Sequence, residues 1–328
     1  MNKYKIVIYI VIALSFVLSV PFMLYYGYKS FYVQNETVET KDDTYHFAFI
    51  AEEEDNEYWD QIYEGAKLAA ANQSVYLDYI APKKASNEEA LTLLDRMIAA
   101  KVDGIIIYGM DHQQFTDLVH KVAERGIPVV TVDADVEQSE RKAYLGSNNQ
   151  EAGKKMAQTV LESAEEESNI GIIIGREDSI SQQERLEGFE QEIEKAGEAK
   201  ISARETSDMT TIGASLAVYQ MYKEHPEITA IAGLSALDGA GAAEGLSDIN
   251  PHADIDVFAF DKLPLTLRWM EEGFIKATVD QQPQRMGEEA VYSMVQLQGK
   301  DYVETPPFME TTIIRKSDVK EQGANHRD

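Results

Sequence analysis

Apolar runs of strand length alternate with amphipathic helical segments over most of the chain. The first run, Tyr45–Ala51, precedes a helix to Ala71 whose apolar face is Ile62, Ala66, Ala69 and Ala70, the spacing that one side of a 3.6-residue helix requires. A strand at Val75–Ile80, a helix from Ser86 to Ala100, a strand at Gly104–Tyr108, a helix to Arg125 and a strand at Pro128–Val132 complete a first set. The breaks agree with this division: Gly104 follows one helix and Gly126-Ile127-Pro128 the next, glycine stopping a helix and proline preventing its continuation.

A second set begins after Tyr144-Leu145-Gly146-Ser147, with a helix from Asn148 to about Glu166, a strand at Asn169–Gly175, a helix at Ser181–Ala196 and a strand near Ile201–Arg204. Helix Thr211–Glu224, strand Ile228–Gly233, a small-residue helix from Asp238, strand Asp256–Phe260, a helix through Met270 and strand Phe274–Val279 follow, and helix Pro283–Leu297 and strand Glu310–Arg315 close the pattern. Strands alternating with helices predict right-handed βαβ units and parallel sheets covered on both faces. There are too many elements for one ordinary sheet, so the expected fold class is α/β, with two doubly wound parallel-sheet lobes of similar size.

The N-terminus breaks the pattern. Lys3 and Lys5 precede an apolar run, Ile6–Tyr26, of roughly the 20 residues that cross a bilayer. Tyr25, Tyr26 and Tyr28 cluster at its far end like an interfacial belt, and the basic residues before it place the N-terminus in the cytoplasm. The expectation is one transmembrane anchor within residues 1–28, an acidic tether at 29–44, and a ligand-binding domain outside the cell membrane. A cleaved signal peptide is the competing reading, but no A-x-A-like site follows the apolar core.

Composition narrows the partners. At 328 residues and 44% hydrophobic content the chain can build two cores. Its 57 acidic and 30 basic residues give a formal net charge of −27, which disfavours nucleic acid and anionic lipid surfaces. No cysteine is present, which excludes disulfides, thiolate metal sites and a lipidated cysteine.

Candidate chemistry lies at strand ends, where open α/β sheets bind ligands. Asn56, Tyr58 and Trp59 follow the first strand; two large aromatics beside an amide suit a small polyhydroxylated ligand, or else staple the first helix to its strand. Asp133, Ser235, Asp261 and Gln281 follow four later strands and would converge on one crevice, although Asp133 and Asp261 singly are also ordinary turn or cap residues. Gly239-Ala240-Gly241 begins like a dinucleotide fingerprint, but Glu244 stands where the third glycine belongs, so close helix packing is expected and no cofactor. His112 and His120 lack a third ligand type, so no metal is expected either.

With these segments in place, residues 45 to 315 resemble the type I periplasmic binding proteins, in the ribose- and galactose-type sugar-binding branch. The resemblance is carried by Asn56-Glu57-Tyr58-Trp59, Tyr63-Glu64-Gly65-Ala66, Ile127 to Asp133, Gly146-Ser147-Asn148, Glu184 to Phe189, His225-Pro226, Phe260-Asp261 and Ala277 to Pro283. It implies two lobes joined by a three-crossing hinge, lobe 1 being residues 45–147 plus 282–309 and lobe 2 residues 148–281 plus 310–316; the charged residues after them, 317–328, read as a flexible tail. It implies further that Tyr58 and Trp59 pack on sugar C–H faces, that Asn56 bonds a hydroxyl, that Asp133, Asp261 and Gln281 bind others, and that Arg185 enters the pocket. Without the resemblance, Arg185 would be read as a surface ion pair with neighbouring glutamates. Three departures stand where the family is usually richer in contacts: Ala134 for an arginine, Met209 for an aromatic and Ser235 for an asparagine. Asp238 either restores a contact or caps a helix.

The function expected is that of a membrane-tethered extracytoplasmic binding protein for a monosaccharide or related polyol, signalling to a sensor histidine kinase, with delivery to an ABC permease as the alternative. No positioned acid–base pair marks an enzyme. No basic helix-turn-helix precedes the lobes to mark a transcription regulator.

Overall fold

A computed structural model of the chain describes residues 44–163, 168–304 and 308–319, together with a few helical positions between residues 4 and 25. Residues Met1–Asp43 and Thr44–Asp328 form separate units. The predicted span Ile6–Tyr26 lies largely outside the described residues, as do the tether and most of the predicted tail; among the described residues no helix is long and apolar enough to cross a membrane.

Within Thr44–Asp328 the first sheet has the strand order β2-β1-β3-β4-β5, with β1 Tyr45–Ile50, β2 Val75–Ile80, β3 Gly104–Tyr108, β4 Val129–Val132 and β5 Ala143–Leu145. All its pairings are parallel. Helices α1 (Glu57–Gln73), α2 (Asn87–Ala100) and α3 (Gln113–Ala123) connect the first four strands. β3 is buried at every position, as a central parallel strand covered on both faces must be. β5 was not expected from the sequence, because three residues are too short a run to show strand periodicity.

The second sheet has the order β11-β10-β9-β8-β6-β7, from β6 Ser168–Ile174, β7 Ala199–Thr206, β8 Ala230–Gly233, β9 Asp256–Phe260, β10 Ile275–Asp280 and β11 Thr312–Arg315. β11 departs from the parallel expectation and pairs antiparallel to β10. The connecting helices are α4 (Asn149–Ser163), α5 (Ile180–Ala196), α6 (Thr211–Glu224), α7 (Asp238–Ile249) and α8 (Pro264–Glu272). Alternation along β6 sends Ile170, Ile172 and Ile174 into the core under α4 and α5, and Ile173 into the opposite core under α6 and α7.

The chain passes between the sheets three times: after Leu145, between β10 and α9 (Pro283–Leu297), and between Met309 and β11. α9 returns to pack on α1 and the first sheet, and the Met309 amide donates to the Gly146 carbonyl beside the first crossing. Both sheets share one winding, with order reversing beside β1 in the first and beside β6 in the second. Their carboxyl ends face each other.

Candidate ligand-binding site

Between those ends lies a cavity of about 20 Å³, room for roughly one water molecule. From the first lobe it is lined by Glu52, Asn56, Tyr58 and Asp133; from the second by Ser181, Gln182, Arg185, Met209, Ser235 and Asp261, with Ala236 and Leu237.

The cavity is organised around Arg185, which is 3% exposed. Its Nε donates to Asn149 Oδ1 at 2.9 Å, Nη1 to the Leu234 carbonyl at 3.0 Å and Nη2 to Gln281 Oε1 at 2.7 Å. Its face lies 4.6 Å from the Phe260 ring centre, a cation–π arrangement strengthened by exclusion of water. Asp133 stands 3.7 Å away, and Gln281 Nε2 donates to Asp261 Oδ2 at 3.0 Å. One guanidinium is thus set against two buried carboxylates.

Asp133 links the lobes. It accepts the Tyr58 hydroxyl at 2.5 Å within its own lobe and Ser181 Oγ at 3.2 Å from the other. Burial pushes the Tyr58 phenol well above its ordinary value, so the group remains a neutral donor. Burial likewise raises Glu52 to about 7 against the opposing Arg176 charge, and Asp261 to about 7 against Arg185. Two lining groups keep hydrogen-bonding capacity that no described protein group uses: among the described residues, Ser235 Oγ and Asp261 Oδ1 are buried without partners.

Three lining residues have left-handed backbone, Asp133 at φ 63°, Met209 at φ 58° and Asp261 at φ 60°. Aspartate tolerates this region better than most residues, whereas methionine does so at a cost of about 1–2 kcal/mol. Strain retained at a lined cavity points to a site.

The sequence profile of the periplasmic binding protein domain family matches residues 47–301. The chain belongs to this family. It is similar to the D-allose-binding periplasmic protein of Escherichia coli, with 22% identity over 76% of this chain and 83% of the relative. Among solved structures, a glucose-galactose binding protein from Geobacillus stearothermophilus is 37% identical at a TM-score of 0.78, over 84% of this chain and 98% of that one. A chain of the XylFII–LytSN complex is 33% identical at a TM-score of 0.79, over 83% and 98%. The chain is accordingly a binding protein and not an enzyme.

The residues predicted for this binding protein's site fall into three positions. Asn56, Tyr58, Asp133, Arg185, Met209, Ser235 and Asp261 line the cavity. Gln281 sits behind it as the bridge from Arg185 to Asp261. Trp59 does not reach the lining: it is 1% exposed and packs its ring 5.9 Å from both Tyr58 and Tyr108. Asn56 also serves as the N-cap of α1, its Oδ1 accepting from the Tyr58 and Trp59 amides. The surface-pair reading of Arg185 does not hold, since among the described residues no glutamate is one of its hydrogen-bond partners and it is buried.

Asp238 takes neither of its expected roles. Its carboxylate accepts from Ser207 Oγ at 2.6 Å and from the Ser235 amide at 2.8 Å, bracing the Ser235 turn from behind the cavity. Gly239 and Gly241 allow α7 to approach Ala259 and Thr211 closely, and His112 caps α3. Glu52, Ser181 and Gln182 were missed. Glu52 opens the run Glu52-Glu53-Glu54, which reads as solvated surface, but Ser181 and Gln182 stand four and three residues before Arg185, a helical spacing that puts all three on one face.

Proposed function

We propose that this protein is a membrane-tethered extracytoplasmic receptor for a monosaccharide or related polyol, which closes on its ligand and presents the closed surface to a sensor histidine kinase in the membrane. The observation that carries the sugar reading is the set of buried polar groups converging from both lobes, with Ser235 Oγ and Asp261 Oδ1 unpaired among them. Buried polar atoms left without partners inside a cavity call for a hydrogen-bonding occupant, and a hydroxylated ligand supplies one. The similar proteins named for allose and for glucose and galactose support the same class.

A monosaccharide does not fit the cavity at its present width, so the reading requires the lobes to part for entry. The three crossings serve as the hinge, which couples ligand binding to lobe geometry. Likeness to a chain of the XylFII–LytSN complex supports a protein partner, and the apolar run Ile6–Tyr26 supports a tether that raises effective concentration at that partner. Relatives named as import binding proteins favour a second reading, delivery to the permease of an ABC importer.

Thermal-shift and calorimetric titration of the detergent-solubilised chain against hexoses, pentoses and cyclitols tests the first part, because a ligand that binds only the folded state raises Tm. At least one such compound is expected to do so and to bind more weakly to Asp261→Asn; no response to any of them would refute the reading. Copurification from membranes with a kinase supports the signalling role, and copurification with a permease replaces it.

A further inference from the structure

A second polar cluster joins the lobes at the rim of the cavity and is centred on Arg176. This residue follows β6 in lobe 2 and does not line the cavity. Asp178, from the same loop, holds its guanidinium in a two-point grip, Nε to Oδ1 at 2.8 Å and Nη2 to Oδ2 at 2.6 Å. That grip fixes the plane of the fork and leaves its remaining hydrogens directed at lobe 1. There Nη1 donates to Glu52 Oε1 at 3.1 Å and Nη2 to Asn87 Oδ1 at 3.4 Å. Asn87 Nδ2 returns a bond to Asp178 at 3.3 Å, and the Tyr108 hydroxyl, also from lobe 1, donates to Asn87.

These contacts differ in kind from the surface pairs elsewhere on the chain. The Arg176 side chain is 14% exposed and that of Glu52 8%, so water and salt screen the pair weakly, and the neighbouring amide and carboxylate satisfy the donors that burial would otherwise orphan. The bonds from Arg176 to Glu52 and Asn87, and from Asn87 to Asp178, exist only while the lobes are together. Opening the cleft breaks them all and returns both sides to water.

We infer that Arg176 is a positioning residue that latches the lobes shut, setting the lifetime of the closed receptor from outside the ligand cavity. The inference rests on the reading of the chain as a closing receptor. A latch of this kind slows ligand release equally for every ligand enclosed, because it acts on the open–closed equilibrium and not on any one hydroxyl. Affinity and selectivity are thereby set by different residues. Those lining the cavity choose the ligand, and Arg176 with Asn87 sets how long it stays.

The test compares the full chain with Arg176→Met, which keeps the apolar stem and removes the fork, with Asn87→Ala, and with the double variant. The chain has no cysteine, so Asn72→Cys on α1 and Glu224→Cys on α6 give two unique spin-label sites, one per lobe, for measuring interlobe distance. Without added ligand, wild type is expected to show a short-distance population that shrinks in Arg176→Met and in Asn87→Ala. For any sugar that binds, the release rate should rise roughly ten- to a hundredfold in Arg176→Met, the scale of losing hydrogen bonds to a charged group. The ratio of affinities between two sugars should stay unchanged, and the double variant should fall short of the product of the single effects.

An unchanged distance distribution in Arg176→Met, or a wild type with no short-distance population, overturns the latch. So does an altered ratio between sugars, which would show that Arg176 acts on the ligand, directly or through Glu52 in the cavity lining, and not on closure alone. If wild type binds no sugar, the receptor reading fails while the distance measurement still decides whether Arg176 holds the lobes together.

Discussion

Asp261 combines two demands that oppose each other. It must stay buried between the lobes, where Arg185 and Gln281 hold it and where Asp133 and Asp280 repel it, and burial lifts its pKa to about 7. Below about pH 4 the folded and unfolded chains both hold this proton; as pH rises towards 7 the unfolded chain releases it first, so stability drains away through that window and the loss is complete above it. Asp261→Asn removes this contribution. Its Tm is expected to fall less than that of wild type between pH 5 and pH 8, while its affinity for the sugar at pH 8 drops by about tenfold or more through loss of a charged acceptor. Parallel melting curves and titrations at the two pH values separate these effects. Trp59 poses the opposite case. A residue so fully enclosed, with no face on the cavity, is expected to lose about 3–5 kcal/mol of stability on replacement by alanine, and chemical denaturation would show it; an unchanged midpoint with weakened sugar binding would instead return Trp59 to the ligand wall.

Each lobe carries one pair of helices brought together by facing glycines. A Cβ on Gly65 would run into the Gln284 carbonyl and one on Gly287 into that of Ile62, locking α1 to α9; Gly153 meets the Arg185 carbonyl and Gly188 that of Gln150, locking α4 to α5. The second pair matters for the site because α5 carries Ser181, Gln182 and Arg185 on one face. Gly153→Ala is expected to cost about 1–3 kcal/mol as an overpacked contact, and, by pushing on the backbone of Arg185, to weaken sugar binding measured well below its melting temperature. Full affinity in a destabilised variant would show that the helix pair supports the fold without setting the position of the guanidinium.

For the molecule as a whole, the surface holds a feature that the cleft does not use. Ile212, Leu216, Tyr219 and Tyr222 form an exposed row along α6, the first of them 73% exposed, while the other side of that helix packs on α7. On a chain of net charge −27 such a row is the kind of patch that marks a protein contact, and under the function proposed above a membrane partner would cover it. Leu216→Glu is expected to abolish copurification of that partner and to leave sugar affinity within about twofold, the mild effect of a surface change. Retention of the partner would move the contact elsewhere.

The amino-acid sequence by itself determined the α/β class, two lobes and most element positions, because the alternation of apolar and amphipathic runs is a local property and each buried face leaves its period in the chain. It also placed Asn56, Tyr58, Asp133, Ser235 and Asp261 near one edge, since every one of them follows a strand that ends there. The short β5 and the reversed direction of β11 left no such trace, because pairing and direction are set by neighbours distant in sequence. Which aromatic faces the cavity was equally beyond local reading: Tyr58 and Trp59 are adjacent in α1, and only the packing of Tyr108 against the indole turns one inward and leaves the other beside Asp133. The Arg176 cluster was hidden for the same reason. Glu52, Asn87 and Arg176 are ordinary surface residues in the order of the chain, and they become a partly buried group only when two lobes folded from separate segments are brought face to face.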